Sequence, residues 1–277
     1  MKPSNQEVNA LLRQDLPSFI AKSFQTLNGG ECFLPNWHID SMARDLEQCR
    51  EGLTKRLIIT LPPRYLKSIC VSVAFPAWLL GHDPTRKIIC ASYSNDLAGK
   101  HARDCREIME SRWYRKIFPS THLDRRHNTE LDFQTSAHGC RYSTSVGGTL
   151  TGIGGNYLII DDPMKAADAN SEAERRRVKE WFNTTAYTRL NNKNEDVIII
   201  VMQRLHVDDL VGHLLEQEDH GWTVLDIPAI AEDDRAYQIG DNEFHMRRAD
   251  EVLHEARENA AMLDAVKRRI GSYTFAA

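Results

Sequence analysis

Five short stretches, residues 57–61, 87–91, 157–160, 197–202 and 222–227, are rich in Ile, Val and Leu and show little apolar–polar alternation. A strand with one wet face alternates; a strand buried on both faces does not. Between these runs the apolar residues are spaced as in helices. Val207, Leu210, Val211, Leu214 and Leu215 fall at i, i+3, i+4, i+7 and i+8, one face of an amphipathic helix. Ser94 is placed to cap a helix running to about Trp113, and Ser171 with Glu174 forms a capping box for one running to about Leu190. Doubly buried strands alternating with helices predict an α/β fold, a mostly parallel sheet flanked by helices.

A chain of 277 residues can bury one such core and a small appendage. Residues 1–50 read as an N-terminal helical segment, 51–228 as the core, and 229–277 as a linker and helical region. The last part is polar and turn-rich over 229–250 and a charged helix over 249–270. No run of eighteen apolar residues predicts a membrane span, and no apolar signal-peptide core follows Met1. Cys32, Cys49, Cys70, Cys90, Cys105 and Cys140 are scattered without a C-x-x-C spacing, the usage of reduced thiols in a cytoplasmic compartment. A net charge of −4 argues against a protein that coats nucleic acid but leaves room for one basic face. Basic clusters occur at Arg112/Arg115/Lys116, Arg125/Arg126, Arg175–Arg177 with Lys179, and Lys267–Arg269. Consecutive arginines on a helix point in different directions, so most of these read as a solvated face.

The first apolar run leads into Pro62-Pro63-Arg64-Tyr65-Leu66-Lys67-Ser68. After a strand, the N–H groups of a turn and of the next helix's first turn converge with the helix dipole and attract phosphate. Pro63, Arg64, Tyr65, Leu66, Lys67, Ser68 and Ile69 are therefore the candidate nucleotide-binding segment. Lys67 would meet the β/γ-phosphates, Ser68 would offer its hydroxyl to Mg²⁺, and Arg64 would lie on the γ-phosphate. The glycines of the usual G-x-x-x-x-G-K-[ST] pattern would stand at Leu61 and Leu66. Without them the loop must differ from the common one, and the bland alternative is an ordinary strand–turn–helix junction.

The run at 157–160 ends in Asp161-Asp162-Pro163. Asp161 can hold Mg²⁺ directly or through water, and Asp162 can polarise the attacking water. Adjacent acids capping a turn before proline are the simpler alternative. The run at 197–202 ends in Gln203-Arg204-Leu205-His206, at the strand end where α/β proteins build ligand sites. Gln203 is a candidate to orient water or sense the γ-phosphate, and Arg204 to couple that state to motion. Asp208 or Asp209 favours the first turn of the following helix more simply than a metal cluster with His206. Gly147, Gly148, Gly152, Gly154 and Gly155 precede a strand, so they form a flexible or closely packed loop and not a dinucleotide fingerprint. Phe33, Trp37 and His38 are candidates for stacking on adenine, although one Trp near a helix is more often core.

The strings LPPRYLKS, GGTLTGIGGNYLIIDDP and VMQRLHVDDLVGHLL resemble the ATPase domain of the large terminase subunit of tailed bacteriophages, over about residues 30–277. In that branch a P-P-R-x-x-K-S loop stands in for the ordinary Walker A. The resemblance implies Arg64, Lys67 and Ser68 as Walker A residues, Asp161 and Asp162 as the Walker B pair, and Gln203-Arg204 as the coupling motif. It implies an additional-strand P-loop NTPase fold, ATP and Mg²⁺ as cofactors, and hydrolysis stimulated by DNA. The implied partners are double-stranded DNA, the small terminase subunit and the portal protein. The implied state is a homo-oligomeric ring when assembled and a monomer in isolation, in the host bacterial cytoplasm. The chain stops about where a linker to a C-terminal nuclease would begin, so no nuclease activity is expected of it. Ile153 occupies a spot where relatives can carry a basic residue, which leaves Arg141 and Arg189 as candidates for a finger reaching a neighbouring subunit. A helicase-like DNA-dependent ATPase and a decayed prophage scaffold are the alternatives.

Overall fold

The computed structural model describes residues 4–216, 221–271 and Phe275. Three helices open the chain: α1 (Asn5–Gln14), α2 (Leu16–Leu27) and α3 (Trp37–Glu51). Ser4 and Glu7 form a reciprocal capping box on α1, and Asp15 ends α1 while its side chain caps α2. Strand β1 (Arg56–Thr60) runs into the Pro-rich loop, then a π-helical turn over Ile69–Ala74 that continues as α4 (Phe75–His82). Strand β2 (Lys87–Ser92), helices α5 (Asn95–Glu110) and α6 (Arg112–Ile117), and strands β3 (Leu123–Asn128), β4 (Asp132–Thr135) and β5 (Cys140–Ser145) follow. The chain continues through β6 (Tyr157–Asp161), α7 (Glu172–Trp181), β7 (Val197–Met202), α8 (Leu210–Leu215) and β8 (Thr223–Asp226). A hairpin of β9 (Arg235–Gln238) and β10 (Phe244–Arg247) and the helix α9 (Ala260–Ile270) come last.

Eight strands form one sheet in the order β3-β4-β5-β2-β6-β7-β1-β8. From β5 to β8 every neighbouring pair is parallel. The strand that feeds the loop, β1, is separated from the acid-bearing strand, β6, by β7 alone. This strand order is the one expected from the additional-strand P-loop NTPase fold that the sequence resemblance implies. Strands β1, β2, β6 and β7 are buried on both faces, as their apolar runs require; β8, whose run also predicted two-sided burial, is an edge strand with Thr223, Val224 and Asp226 exposed. Leu57, Ile59, Tyr157, Ile159, Ile199 and Val201 pack with α1 to α6 on one side. Ile58, Leu158, Ile160, Ile198 and Ile200 pack with α7 and α8 on the other.

The register sets the functional edge. Thr60 pairs with Met202 and Asp161 with Val201, so β1, β7 and β6 end together. Two strand spacings put the loop and the acids about 10 Å apart along the sheet edge, near enough for a lysine to span.

Several elements differ from expectation. The helix begun at Ser94 stops at Glu110, because Ser111 turns extended (ψ 150) and caps α6 by accepting from the Tyr114 N–H. The helix after Ser171 is α-helical only to Trp181 and then widens into a π turn over Phe182–Ala186. Ser171 accepts from the Glu174 N–H at 3.4 Å, while the Glu174 carboxylate pairs with Arg177 at 2.9 Å. The charged helix expected over 249–270 is helical only from Ala260, after an Asn259 cap. The segment read as turn-rich contains the β9–β10 hairpin. The sheet also extends through β3, β4 and β5, whose polar sequences gave no apolar run; β3 is the outermost strand and exposes Arg125 and Arg126.

Candidate active site

The loop after β1 takes two residues into the left-handed region, Arg64 at φ 72 and Leu66 at φ 65. Leu66 stands where the common pattern has glycine, and a left-handed L-residue costs roughly 1–2 kcal/mol. Side-chain anchoring offsets that cost. Tyr65 is buried and its hydroxyl donates to Glu258 Oε2 at 2.7 Å, with the Arg257 guanidinium 5.7 Å from its ring centre. His38 Nε2 donates to the Tyr65 carbonyl at 3.3 Å, while its Nδ1 accepts from Asn36 at 2.7 Å. Leu66 packs against the core, and its carbonyl accepts the Cys70 N–H at 2.9 Å, opening the helix. Thus Tyr65 and Leu66 face inward and offer only backbone to a ligand, while Pro63 and Arg64 form the exposed crest.

Lys67 and Ser68 then meet the acids of β6. Lys67 is buried, and its Nζ lies 3.2 Å from Asp162 Oδ2. The Ser68 hydroxyl donates to Asp161 Oδ1 at 3.1 Å. Asp162 has φ 44, and its Oδ1 accepts the Gln203 N–H at 3.1 Å, so the β7 end fixes this carboxylate as well. Burial raises the pKa of Asp161, and burial together with the neighbouring Asp161 raises that of Asp162; Lys67 opposes both. His101, 3.6 Å from Asp161 Oδ2, is pushed down to about 4 by burial, so it adds no positive charge near neutrality. The Lys67 ammonium therefore faces a part-exposed carboxylate, Asp162, beside a buried one, Asp161, on which the Arg141 guanidinium also acts. The hydroxyl of Ser68 and the carboxylate of Asp161 are hard oxygen donors of the kind Mg²⁺ takes. These residues fit Mg²⁺.

A cavity opens in front of Asp162, lined by Tyr93, Asp162, Met164, Lys165, Ala166, Gln203 and Leu205. Tyr93 N–H donates to the Asp162 carbonyl at 3.1 Å, and Lys165 Nζ lies 5.7 Å from the Tyr93 ring centre. Sequence reading missed both. Tyr93 follows Ser92, the register partner of Asp161, and Lys165 follows the acid pair by a single turn.

Arg204 is not turned onto the acids. Its Nε donates to Asp209 Oδ2 at 2.9 Å, and Asp209 caps α8 by accepting the Gly212 N–H at 2.9 Å. Asp208 pairs with Arg175 at 3.2 Å and Lys179 at 2.5 Å, which ties α7 to the turn before α8. His206 Nδ1 accepts the Asp208 N–H, so these residues build a helix start. Of the basic clusters, 175–179 is absorbed in ion pairs, including Arg176 with Glu180 and Arg177 with Glu174.

Neither finger candidate is poised to leave the subunit. Arg141 is wholly buried, and Nη2 donates to the Ser72 carbonyl at 3.0 Å. Arg189 donates to the Leu150 carbonyl and the Thr188 hydroxyl, and its own carbonyl binds Gly155 N–H near the start of β6, at the other end of the strand from Asp161. The aromatic residues near α3 are occupied too. Trp37 stacks on His245 with ring centres 4.5 Å apart and 10° between planes, and Phe33 lies against Phe24. The hairpin covers the face that adenine would need at Trp37.

No family model matches the chain, and no curated protein matches it. Among solved structures it is similar to the HK97 bacteriophage large terminase, at 12% identity and TM-score 0.49, over 78% of this chain and 44% of that one. It is also similar to the large terminase from a thermophilic bacteriophage in complex with ADP, at 8% identity and TM-score 0.44, over 95% of this chain and 52% of that one. The chain spans about half the length of these two proteins. At such identities and scores neither likeness carries weight alone; the residues at the sheet edge do.

Proposed function

We propose that the chain is the ATP-hydrolysing motor domain of a phage large terminase, powering the movement of double-stranded viral DNA into a prohead. The observation that carries the reading is the double contact across the sheet edge, Lys67 with Asp162 at 3.2 Å and Ser68 with Asp161 at 3.1 Å. Those two contacts join the phosphate-binding turn to the acid strand over the intervening β7, the spatial relation that nucleotide hydrolysis needs.

In the resting site Lys67 and Asp162 neutralise each other. A triphosphate seated on the N–H groups of the loop attracts Lys67, and Asp162 is released to take a proton from the attacking water. Burial favours a proton on this carboxyl, which makes it a better base than a solvated aspartate. Arg64, exposed at the crest, is placed to neutralise charge on the transferring phosphoryl group. Gln203, whose N–H already holds Asp162, lines the cavity where that water would sit. Mg²⁺, held by Ser68 and Asp161, would neutralise charge on the β- and γ-phosphate oxygens.

Residues 51–228 form the proposed ATPase core, with 1–50 a helical lead-in and 229–277 a linker region. The proposed partners are the small terminase subunit, the portal protein and DNA bound through its phosphates without sequence preference. The proposed setting is a ring of subunits in the host bacterial cytoplasm. A helicase-like ATPase shares the two-strand logic, and the substrate form separates them. Hydrolysis that depends on Mg²⁺ and rises with intact linear duplex at low salt, without unwinding of a forked duplex, is the expected result. Strand separation would assign the helicase reading; absence of nucleotide binding would overturn both.

A further inference from the structure

Asp161 is 1% exposed, and both of its oxygens are engaged. Ser68 reaches Oδ1, as the proposed nucleotide site requires. Oδ2 accepts a second hydroxyl, Ser72 Oγ, at 2.6 Å, shorter than the Ser68 contact. Ser72 follows Ser68 by four residues, within the π-helical turn over Ile69–Ala74, where Phe75 N–H donates to the Cys70 carbonyl five residues back. Wide turns of this kind are rare inside helices and occur often at functional sites.

The same turn has a carbonyl that a regular helix would leave without a backbone donor. In a regular helix the Ser72 carbonyl would receive the N–H four residues on, but that residue is Pro76, which has none. Arg141, from β5, supplies the donor instead, with Nη2 3.0 Å from the Ser72 carbonyl. The guanidinium is wholly buried, its Nη1 donates to the Ser143 hydroxyl, and its Nε has no partner among the described residues. Placing an arginine there, with one donor left over, is costly unless the turn it secures matters.

We infer that Ser72 and Arg141 are positioning residues for the Asp161 carboxylate. Ser72 fixes the oxygen that Ser68 leaves over, and Arg141 pins the turn that carries Ser72. The inference rests on the proposed nucleotide site. It goes beyond that reading by assigning the orientation of the metal-binding acid to a second hydroxyl and to a strand, β5, remote in sequence from both motifs.

The test is the Mg²⁺ dependence of ADP binding, measured by titration calorimetry on the full chain. Ser72→Ala is expected to leave ADP affinity without metal within about twofold of wild type. It should raise the Mg²⁺ concentration that half-saturates the tightening by about tenfold, the lower end for losing a hydrogen bond to a charged group. Ser72→Thr, which restores the hydroxyl, should recover most of that shift. Arg141→Lys keeps the charge but loses the planar fork. It should shift the Mg²⁺ response in the same direction, and in the Ser72→Ala background it should add little, because it acts through Ser72. An unchanged Mg²⁺ response in Ser72→Ala would overturn the inference. So would an equal loss of metal-free ADP affinity, which marks a general packing defect. Fully additive effects of the two substitutions would overturn the role of Arg141. A wild-type chain that binds no ADP at all would overturn the nucleotide reading itself, and the inference with it.

Discussion

Acidification should weaken the fold through His38, by an amount that the structure sets. His38 is 1% exposed; its Nε2 holds the Tyr65 carbonyl and its Nδ1 receives the Asn36 amide, so the ring is bonded as a neutral imidazole. Burial pushes its pKa down to about 4, and His254, Arg247 and Arg257 add to the effect. The folded chain therefore refuses a proton that the unfolded chain takes up near pH 6.5. The unfolded state binds more protons between these values, so this contribution is fully present above about pH 6.5 and is lost as pH falls toward 4. From pH 7 to pH 5 the loss is about 2 kcal/mol. His101, also depressed to about 4, acts in the same direction. Asp40 and Asp45, raised by burial to about 6, act oppositely, so the whole protein's pH profile blurs the effect. Comparison with His38→Gln isolates it, since the amide can keep both bonds without titrating. Urea denaturation of the two proteins at pH 7 and pH 5, followed by tryptophan fluorescence, should show wild type losing about 2 kcal/mol more than the variant. Equal losses in the two proteins would refute the argument that His38 is held neutral beneath the loop.

Other expectations test the packing around the site. A Cβ at Gly139 would lie 2.2 Å from the Pro84 carbonyl oxygen, so Gly139→Ala should cost about 1–3 kcal/mol in denaturant midpoint measurements. Tyr65→Phe removes the bond to Glu258 and should cost about 1 kcal/mol of stability; ADP affinity should stay within about twofold, because this ring is buried and only the backbone at 65 is offered to the proposed nucleotide. Trp37→Ala removes the surface on which His245 stacks, so amide exchange over 235–247 should quicken while the strands β6 and β7 stay protected.

The sheet was legible where burial is two-sided, because Ile and Val runs such as 197–202 have no other comfortable place. Strands β3 to β5 were not: β3 is a wet edge strand where Arg125 and Arg126 are tolerated, and β5, inside the sheet, buries the polar Arg141, Ser143 and Thr144. The turn after β1 was legible as a string of residue types, yet the sequence alone left Leu66 as an objection. Its answer lies in contacts remote in the chain, from His38 to the Tyr65 backbone and from Glu258 to the Tyr65 hydroxyl. Arg141 shows the converse failure. An isolated arginine in a polar stretch looks available to a neighbour, but parallel pairing of β5 with β2 turns it into the interior. Trp37, a stacking candidate that the sequence already favoured as packed, is covered by the hairpin, which no apolar run announced.

The central claim is that Lys67 and Asp162 belong to one hydrolytic site. It is tested most directly by measuring ATP binding and Mg²⁺-dependent turnover for wild type, Lys67→Ala and Asp162→Asn. The account predicts that Asp162→Asn still binds ATP but turns over about 10²–10⁴-fold more slowly, while Lys67→Ala loses both affinity and turnover. Wild-type turnover in either variant would contradict it.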